Sequence, residues 1–231
     1  MKTAAIIPAY NEEKSIAKVI SEIPSKFVDE IIVVNNNSTD NTAEEATKVG
    51  ATVLLEKEKG YGAACLTGIE YCKSKNFEVI LFIDGDYSDY PEEAEKLLTP
   101  IFNNEYDFVL GSRVLGKREK GALPIQSQFG SKLAGFLINL FWNFKYTDLG
   151  PFRAIKFDKL LEMKMQDRWF GWTVEMQIKS AIMKLRTIEI PVSYRNRIGK
   201  SKVTGTVKGT FMASIIILGT IFKYAFNRKA V

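Results

Sequence analysis

Short apolar runs alternate with helical stretches through the first half of the chain. The pattern predicts strands over Ala4 to Pro8, Glu30 to Val34, Ala51 to Leu55, Val79 to Ile83 and Phe108 to Leu110. Between them, helical spacing predicts helices over Glu12 to Ile23, Thr42 to Val49, Gly60 to Lys73 and Pro91 to Phe102, the last with proline in its first turn. Strands alternating with helices imply an α/β protein, with a parallel sheet covered on both faces. No Asn-Gly type turn separates these strands, which argues against hairpins.

The pattern changes after about residue 113. A basic loop from Arg113 to Gly121 precedes a long apolar helix predicted over Pro124 to Phe144, and a second helix is predicted over Trp172 to Met183. Ile188 to Tyr194 reads as a strand. A further basic loop, RNRIGKSK, leads into an apolar stretch from Val207 to Phe226. Only fourteen uncharged residues separate Lys208 from Lys223 there, short of the ~20 needed to cross a bilayer. That stretch is expected to pack on the core or lie at an interface. With no repeat or linker, the expectation is a single domain over 1–231, with parts at 1–112, 113–205 and 206–231.

Composition narrows the chemistry. A chain of 231 residues with 46% hydrophobic and 26% charged residues is globular. It has no histidine, which removes imidazole bases and the usual zinc sites and puts any acid–base or metal chemistry on Asp and Glu. Cys65 and Cys72 show neither metal spacing nor a disulfide framework, which fits a reducing cytoplasm. The first apolar run is too short for a secretory signal, so none is expected. A net charge of +5 favours anionic partners such as nucleotides, phosphates or an acidic membrane surface.

Polar clusters fall after the predicted strands, at the carboxyl edge where open parallel sheets bind ligands. They are Pro8 to Glu12, Asn35 to Asp40, the glycine turn from Lys57 to Gly62, and Asp84-Gly85-Asp86. Any one of these could be a solvated loop, and Asp40 is a good helix cap. Four on one edge point to a site. Asp84 and Asp86 are the sharpest feature, because two carboxylates after a buried strand repel each other unless a cation resolves them. Mg2+ or Mn2+ would do so and complete its shell with substrate phosphate.

PAYNEE, VVNNNSTDNT, KGYGAA, DGD and GSR resemble family 2 glycosyltransferases of the GT-A fold, a Rossmann-like, mostly parallel sheet with helices on both faces. DLGPFRAI, GWTVEMQ and PVSYRNRIGKSK are most similar to the dolichyl-phosphate sugar synthase branch. The resemblance implies a nucleotide held by Pro8, Tyr10, Glu12, Asn35, Asn36 and Asn37, with Lys59 and Gly62 bordering it. It places Asp84 at the ribose or sugar and Asp86 on the metal. The 113–205 part and the C-terminal helix then form an extension for the acceptor. The chain departs from the family in carrying Asn35-Asn36-Asn37 for Asp-Asp-Gly, and Ser88 where some lipid-acceptor relatives have glutamine. It also lacks an arginine at 125–128.

Arg113, Arg153, Arg195, Arg197 and Lys202 are the phosphate-handling candidates, with Arg153 beside its Gly-Pro turn favoured for an oxyanion grip. Trp169, Phe170 and Trp172 could stack on a sugar or pack in the core. The expectation is inverting, metal-dependent transfer of a hexose from UDP- or GDP-hexose, with inversion implied by the resemblance alone. The favoured acceptor is a polyprenyl phosphate at the inner membrane face, through peripheral contact. A soluble or cell-envelope hydroxyl is the alternative and would need a base from Asp148, Asp167 or Glu175. A nucleotidyltransferase would carry a glycine- and arginine-rich loop after strand one. An inactive module would have lost the metal aspartates. No nucleic-acid partner is expected.

Overall fold

The structure, a computed structural model, describes residues 1–199 and 207–227. Its elements in chain order are β1 (Thr3–Ala9), α1 (Ile16–Glu22), β2 (Glu30–Asn35), α2 (Thr42–Lys48), β3 (Thr52–Leu55), α3 (Tyr61–Cys72), β4 (Val79–Phe82), α4 (Ala94–Phe102) and β5 (Phe108–Ser112). The second half adds α5 (Ile125–Trp142), β6 (Arg153–Lys156), α6 (Phe157–Met163), α7 (Trp172–Ile182), β7 (Thr187–Pro191) and α8 (Val207–Phe226). One seven-stranded sheet in the order β3-β2-β1-β4-β6-β5-β7 joins the two halves.

The sheet is mostly parallel, as the alternation implies. The exception is β6, which enters between β4 and β5 and runs antiparallel to both. No strand was expected at Arg153–Lys156, because four residues beside a proline show no periodicity of their own. Apolar side chains cover both faces. One core layer takes Ile6, Ile80 and Phe82 of the strands against α3, α5, α7 and α8. The other takes Ile7, Val33 and Leu81 against α1, α2 and α4. Cys65 and Cys72 are free and buried in α3.

Two boundaries differ from expectation for local reasons. The first helix starts at Ile16 and not at Glu12, because the Glu12 carbonyl is taken up by the amides of Ser15 and Ile16 in a turn, while the Glu12 amide donates to Thr42 Oγ1 at 2.7 Å. The last strand stops at Pro191, which cannot donate to the ladder. Beyond it, Tyr194 makes only isolated bridges to Asp89 and Arg118. In the C-terminal part, α8 packs on α5 and α7. Among the described residues, no helix is long and apolar enough to cross a membrane.

Candidate active site

Parallel β1 and β4 end side by side, with Ile6 opposite Phe82, so the segments that follow them face one another. Asp84 and Asp86 lie just past β4, at the junction of two cavities. The first, of about 300 Å³, is walled by Pro8, Tyr10, Glu12, Asn36, Lys59, Gly60, Trp169 and Phe170. The second, of about 530 Å³, is walled by Arg113, the first turns of α5, Tyr194, Asn196 and Ala213, Ser214 and Ile217 of α8. Tyr61, Asp84, Asp86, Phe170 and Arg197 line both.

The electrostatics at the junction suit a cation. Asp84 Oδ1 is buried with no partner in the protein. Burial first, and then the like charge of Asp86, push the Asp84 carboxyl above the ordinary range. Asp86 Oδ1 accepts the Ser88 amide at 2.9 Å and the Ser88 hydroxyl, so Ser88 orients the carboxylate from behind. Asp86 Oδ2 meets the Arg197 guanidinium at 3.1 Å, and Arg197 also reaches Glu12 Oε1 at 3.2 Å. An orphaned buried oxygen beside a carboxylate already paired with a cation is a donor set that fits Mg2+ or Mn2+.

The asparagine block works differently from the expectation that all three residues meet the nucleotide. Asn36 lines the first cavity, but its amide donates to the carbonyls of Glu56 and Glu58 and its oxygen accepts the Gly60 amide at 2.8 Å. It therefore staples the β3–α3 loop; a carboxylate could not make both donations. Asn35 caps the turn by accepting the Ser38 amide. Asn37 takes a left-handed φ of 61°. Neither Asn35 nor Asn37 is on the cavity wall.

Gly62 is also off that wall. A Cβ there would lie 2.0 Å from the Asp167 carbonyl, and at Gly60 one would lie 2.1 Å from the Arg168 carbonyl. These glycines admit the 167–169 loop against the start of α3, which brings Trp169 and Phe170 to the cavity. Lys59 stays at the mouth, 5.3 Å over the Tyr10 ring.

Four assignments are corrected by burial and bonding. Arg153 is 0% exposed, lies over the Phe108 ring and spends its guanidinium on the carbonyls of Gly150 and Thr173, so it cannot grip a substrate oxyanion. Asp148 is equally buried. Desolvation raises its pKa, but Arg113 and nearby amides pull harder and leave it below the ordinary value. It holds Arg113 through paired contacts of 2.7 and 2.8 Å, which makes it an anchor for Arg113 and not a free base.

Glu175 pairs with Lys179 at 2.9 Å and accepts the Tyr224 hydroxyl and the amides of Gln166 and Asp167. It is a core ion-pair partner that shapes the 166–169 turn. Arg195 is clamped between the Tyr87 and Tyr90 rings and bonds Glu22, which is a structural role. Trp172 is core, packed edge-on to Phe82. Asp167 lines neither cavity. Lys202 lies outside the described residues.

Sequence reasoning missed Asp89 and Tyr61. Asp89 is 1% exposed, both of its carboxyl oxygens are without hydrogen-bond partners, and burial pushes it well above the ordinary range. The third acid in DGDYSD was the available signal. Tyr61 opens α3 between the two cavities and lines both of them beside Asp84; its place after the glycine turn made it readable only as a helix start.

The family model described as glycosyl transferase family 2 matches residues 4–163. An uncharacterized glycosyltransferase of Mycobacterium tuberculosis is 31% identical over 211 residues, covering 90% of this chain and 92% of the relative. An undecaprenyl-phosphate mannosyltransferase of Micrococcus luteus is 25% identical over 227 residues, covering 93% of each. Among solved structures, glucosyl-3-phosphoglycerate synthase of M. tuberculosis, crystallised with Mn2+, UDP-glucose and phosphoglyceric acid, superposes with a TM-score of 0.76 at 19% identity. That match covers 97% of this chain and 79% of the other. The likeness shows that the fold is shared.

Proposed function

The chain belongs to glycosyl transferase family 2 and is a glycosyltransferase of GT-A fold; on that premise we propose that it transfers a hexose from a UDP- or GDP-hexose to a polyprenyl phosphate, with inversion. The observation that carries the acceptor class is the carboxylate census of the two cavities. Among the described residues, the only carboxylates on their walls are Glu12, Asp84 and Asp86, all at the cation site. The candidate bases Asp148, Asp167 and Glu175 lie elsewhere. A hydroxyl acceptor would need a carboxylate free to take its proton, and those on the walls are engaged at the cation site, whereas a phosphate monoester, with a second pKa of about 6, attacks as the anion it already is.

The roles divide between the cavities. The first takes the nucleotide against Pro8, Tyr10 and Lys59, with its diphosphate toward Asp86. Bound Mg2+ or Mn2+ would offset the charge that develops on the departing diphosphate. Mn2+ in the complex of the structural neighbour supports that choice. The second cavity takes the acceptor phosphate at Arg113, which Asp148 holds in place. Its α5 wall is polar and small (Gln126, Ser127, Gly130, Ser131) and α8 adds Ala213, Ser214 and Ile217; on the same α5 helix Ile125, Phe129, Phe136 and Leu140 are apolar and 62–82% exposed. A prenyl chain would run along these helices, and they would rest on the cytoplasmic leaflet as a peripheral contact. The lipid-phosphate substrate in the name of the Micrococcus luteus relative supports the same acceptor.

The test uses purified protein, Mn2+, radiolabelled UDP- and GDP-hexoses, a polyprenyl phosphate and a soluble cell extract, followed by butanol–water partition. Label in butanol that is lost in Asp86→Asn is the expected result. New product confined to water would overturn the lipid acceptor.

A further inference from the structure

Arg197 occupies an unusual position for a residue expected to handle phosphate. One of its terminal nitrogens lies 3.2 Å from Glu12 Oε1 and 3.1 Å from Asp86 Oδ2, so two carboxylates from different strand ends converge on a single cationic atom. Both acids are less than a tenth exposed, and the Arg197 Nε is buried with no partner.

The backbone that carries this side chain is fixed. Arg195 is clamped by the Tyr87 and Tyr90 rings, the Asn196 amide donates to Glu119, and the Ile198 amide donates to the Asp86 carbonyl at 2.9 Å. Only the guanidinium is left to move, and it lines both cavities.

We propose that Arg197 is the resident counter-ion of the cation site: it holds the metal's place between Glu12 and Asp86 and gives it up when a nucleoside diphosphate arrives to receive the guanidinium. This rests on the cation site described above and makes Glu12 a positioning residue of that site. Two consequences follow from charge alone. A divalent ion entering without nucleotide meets a guanidinium already seated on Asp86, with only Glu12 left to it once displaced, so it binds weakly. A diphosphate supplies that anion, so nucleotide and metal each favour the other's binding, reciprocally.

The experiment titrates Mn2+ into the full chain by calorimetry, alone and with UDP or GDP, for wild type, Arg197→Gln and Arg197→Lys. Thermal melting checks that each variant is folded. The expected result is that Arg197→Gln binds Mn2+ about fivefold to tenfold more tightly than wild type without nucleotide. It should also gain less than wild type does from the nucleotide. Arg197→Lys, which keeps the charge, should restore weak binding without nucleotide. Mn2+ affinity unchanged or weakened in Arg197→Gln overturns the proposal while leaving the cation site intact. A wild type that takes up no Mn2+ with either nucleotide overturns the cation site itself, and the proposal with it.

Discussion

The two walls that meet at Asp86 are built on opposite plans. The wall proposed for the donor, formed by the ends of β1, β2 and β4, is a mesh in which polar side chains secure loops to one another. Asn36 ties three backbone groups of the β3–α3 loop, and Asn11 accepts the Thr39 amide while its own amide donates to Ser38. The wall proposed for the acceptor, formed by the 113–124 loop, α5 and α8, sets Arg113, anchored by Asp148, among small, polar and apolar residues such as Ala122, Leu123, Gln126, Ser127 and Ile217. The contrast matches what each side would bind. A nucleotide needs fixed donors and acceptors at defined distances, so its wall is preorganised. A prenyl phosphate needs a positive point and a long apolar surface, which Arg113 and the exposed Ile125, Phe129, Phe136 and Leu140 on the same α5 helix would supply.

Removing the hinge between the walls should have the largest effect. Asp86→Asn, or chelation of divalent metal from the wild type, should lower transfer about a thousandfold or more. The melting temperature of the variant should hold, as measured by calorimetry. Near-normal turnover in folded Asp86→Asn would break the cation assignment. Next in size is Arg153→Ala, which tests whether an arginine near the acceptor wall belongs to it. The buried guanidinium satisfies the Gly150 and Thr173 carbonyls. Its loss should therefore cost roughly 3–5 kcal/mol of stability in chemical denaturation. Unchanged stability with lost transfer would return Arg153 to the acceptor site.

The third change sharpens the acceptor side. Asp148→Asn leaves Arg113 without its counter-ion and should reduce transfer by about ten- to a hundredfold. Donor binding, read by titration with nucleotide, should be unaffected. The pH sign follows from the lowered pKa of Asp148. Stability from the pair is present above the ordinary carboxylate pKa and lost as pH falls through the lowered one, so the variant should lose that acid limb of the unfolding profile. The smallest effect is the most discriminating. Phe129→Ser combined with Phe136→Ser alters exposed side chains and should change stability by less than about 1 kcal/mol. It should reduce transfer several-fold to acceptor in vesicles, but not to a short-chain acceptor in detergent. An equal loss in both would remove the apolar face from the account.

Much of the donor wall was legible in the sequence because it depends on period and position. Buried strands such as VILFI declare themselves, and the polar residues after them must fall at the sheet's carboxyl edge. The acceptor wall was less legible, because its residues act through partners far along the chain. Nothing local distinguishes Arg153, which is buried under a Gly-Pro turn, from Arg113, which reaches a cavity only because Asp148 holds it from 35 residues away. Likewise, Asn36 resembled a base-binding position, and only the folded loop shows its amide fully used. The same holds for β6, whose four residues form a strand because β4 and β5 flank it.

The central claim, that an anionic acceptor meets the donor at Asp86 without a general base, is tested most directly by a matched pair. Purified enzyme, Mn2+ and the labelled donor would be offered a polyprenyl phosphate and the polyprenol of the same chain length. The account predicts butanol-soluble label with the phosphate and none with the alcohol. Comparable labelling of the alcohol would contradict it and turn a carboxylate of the second cavity, Asp84 first, from cation site to general base.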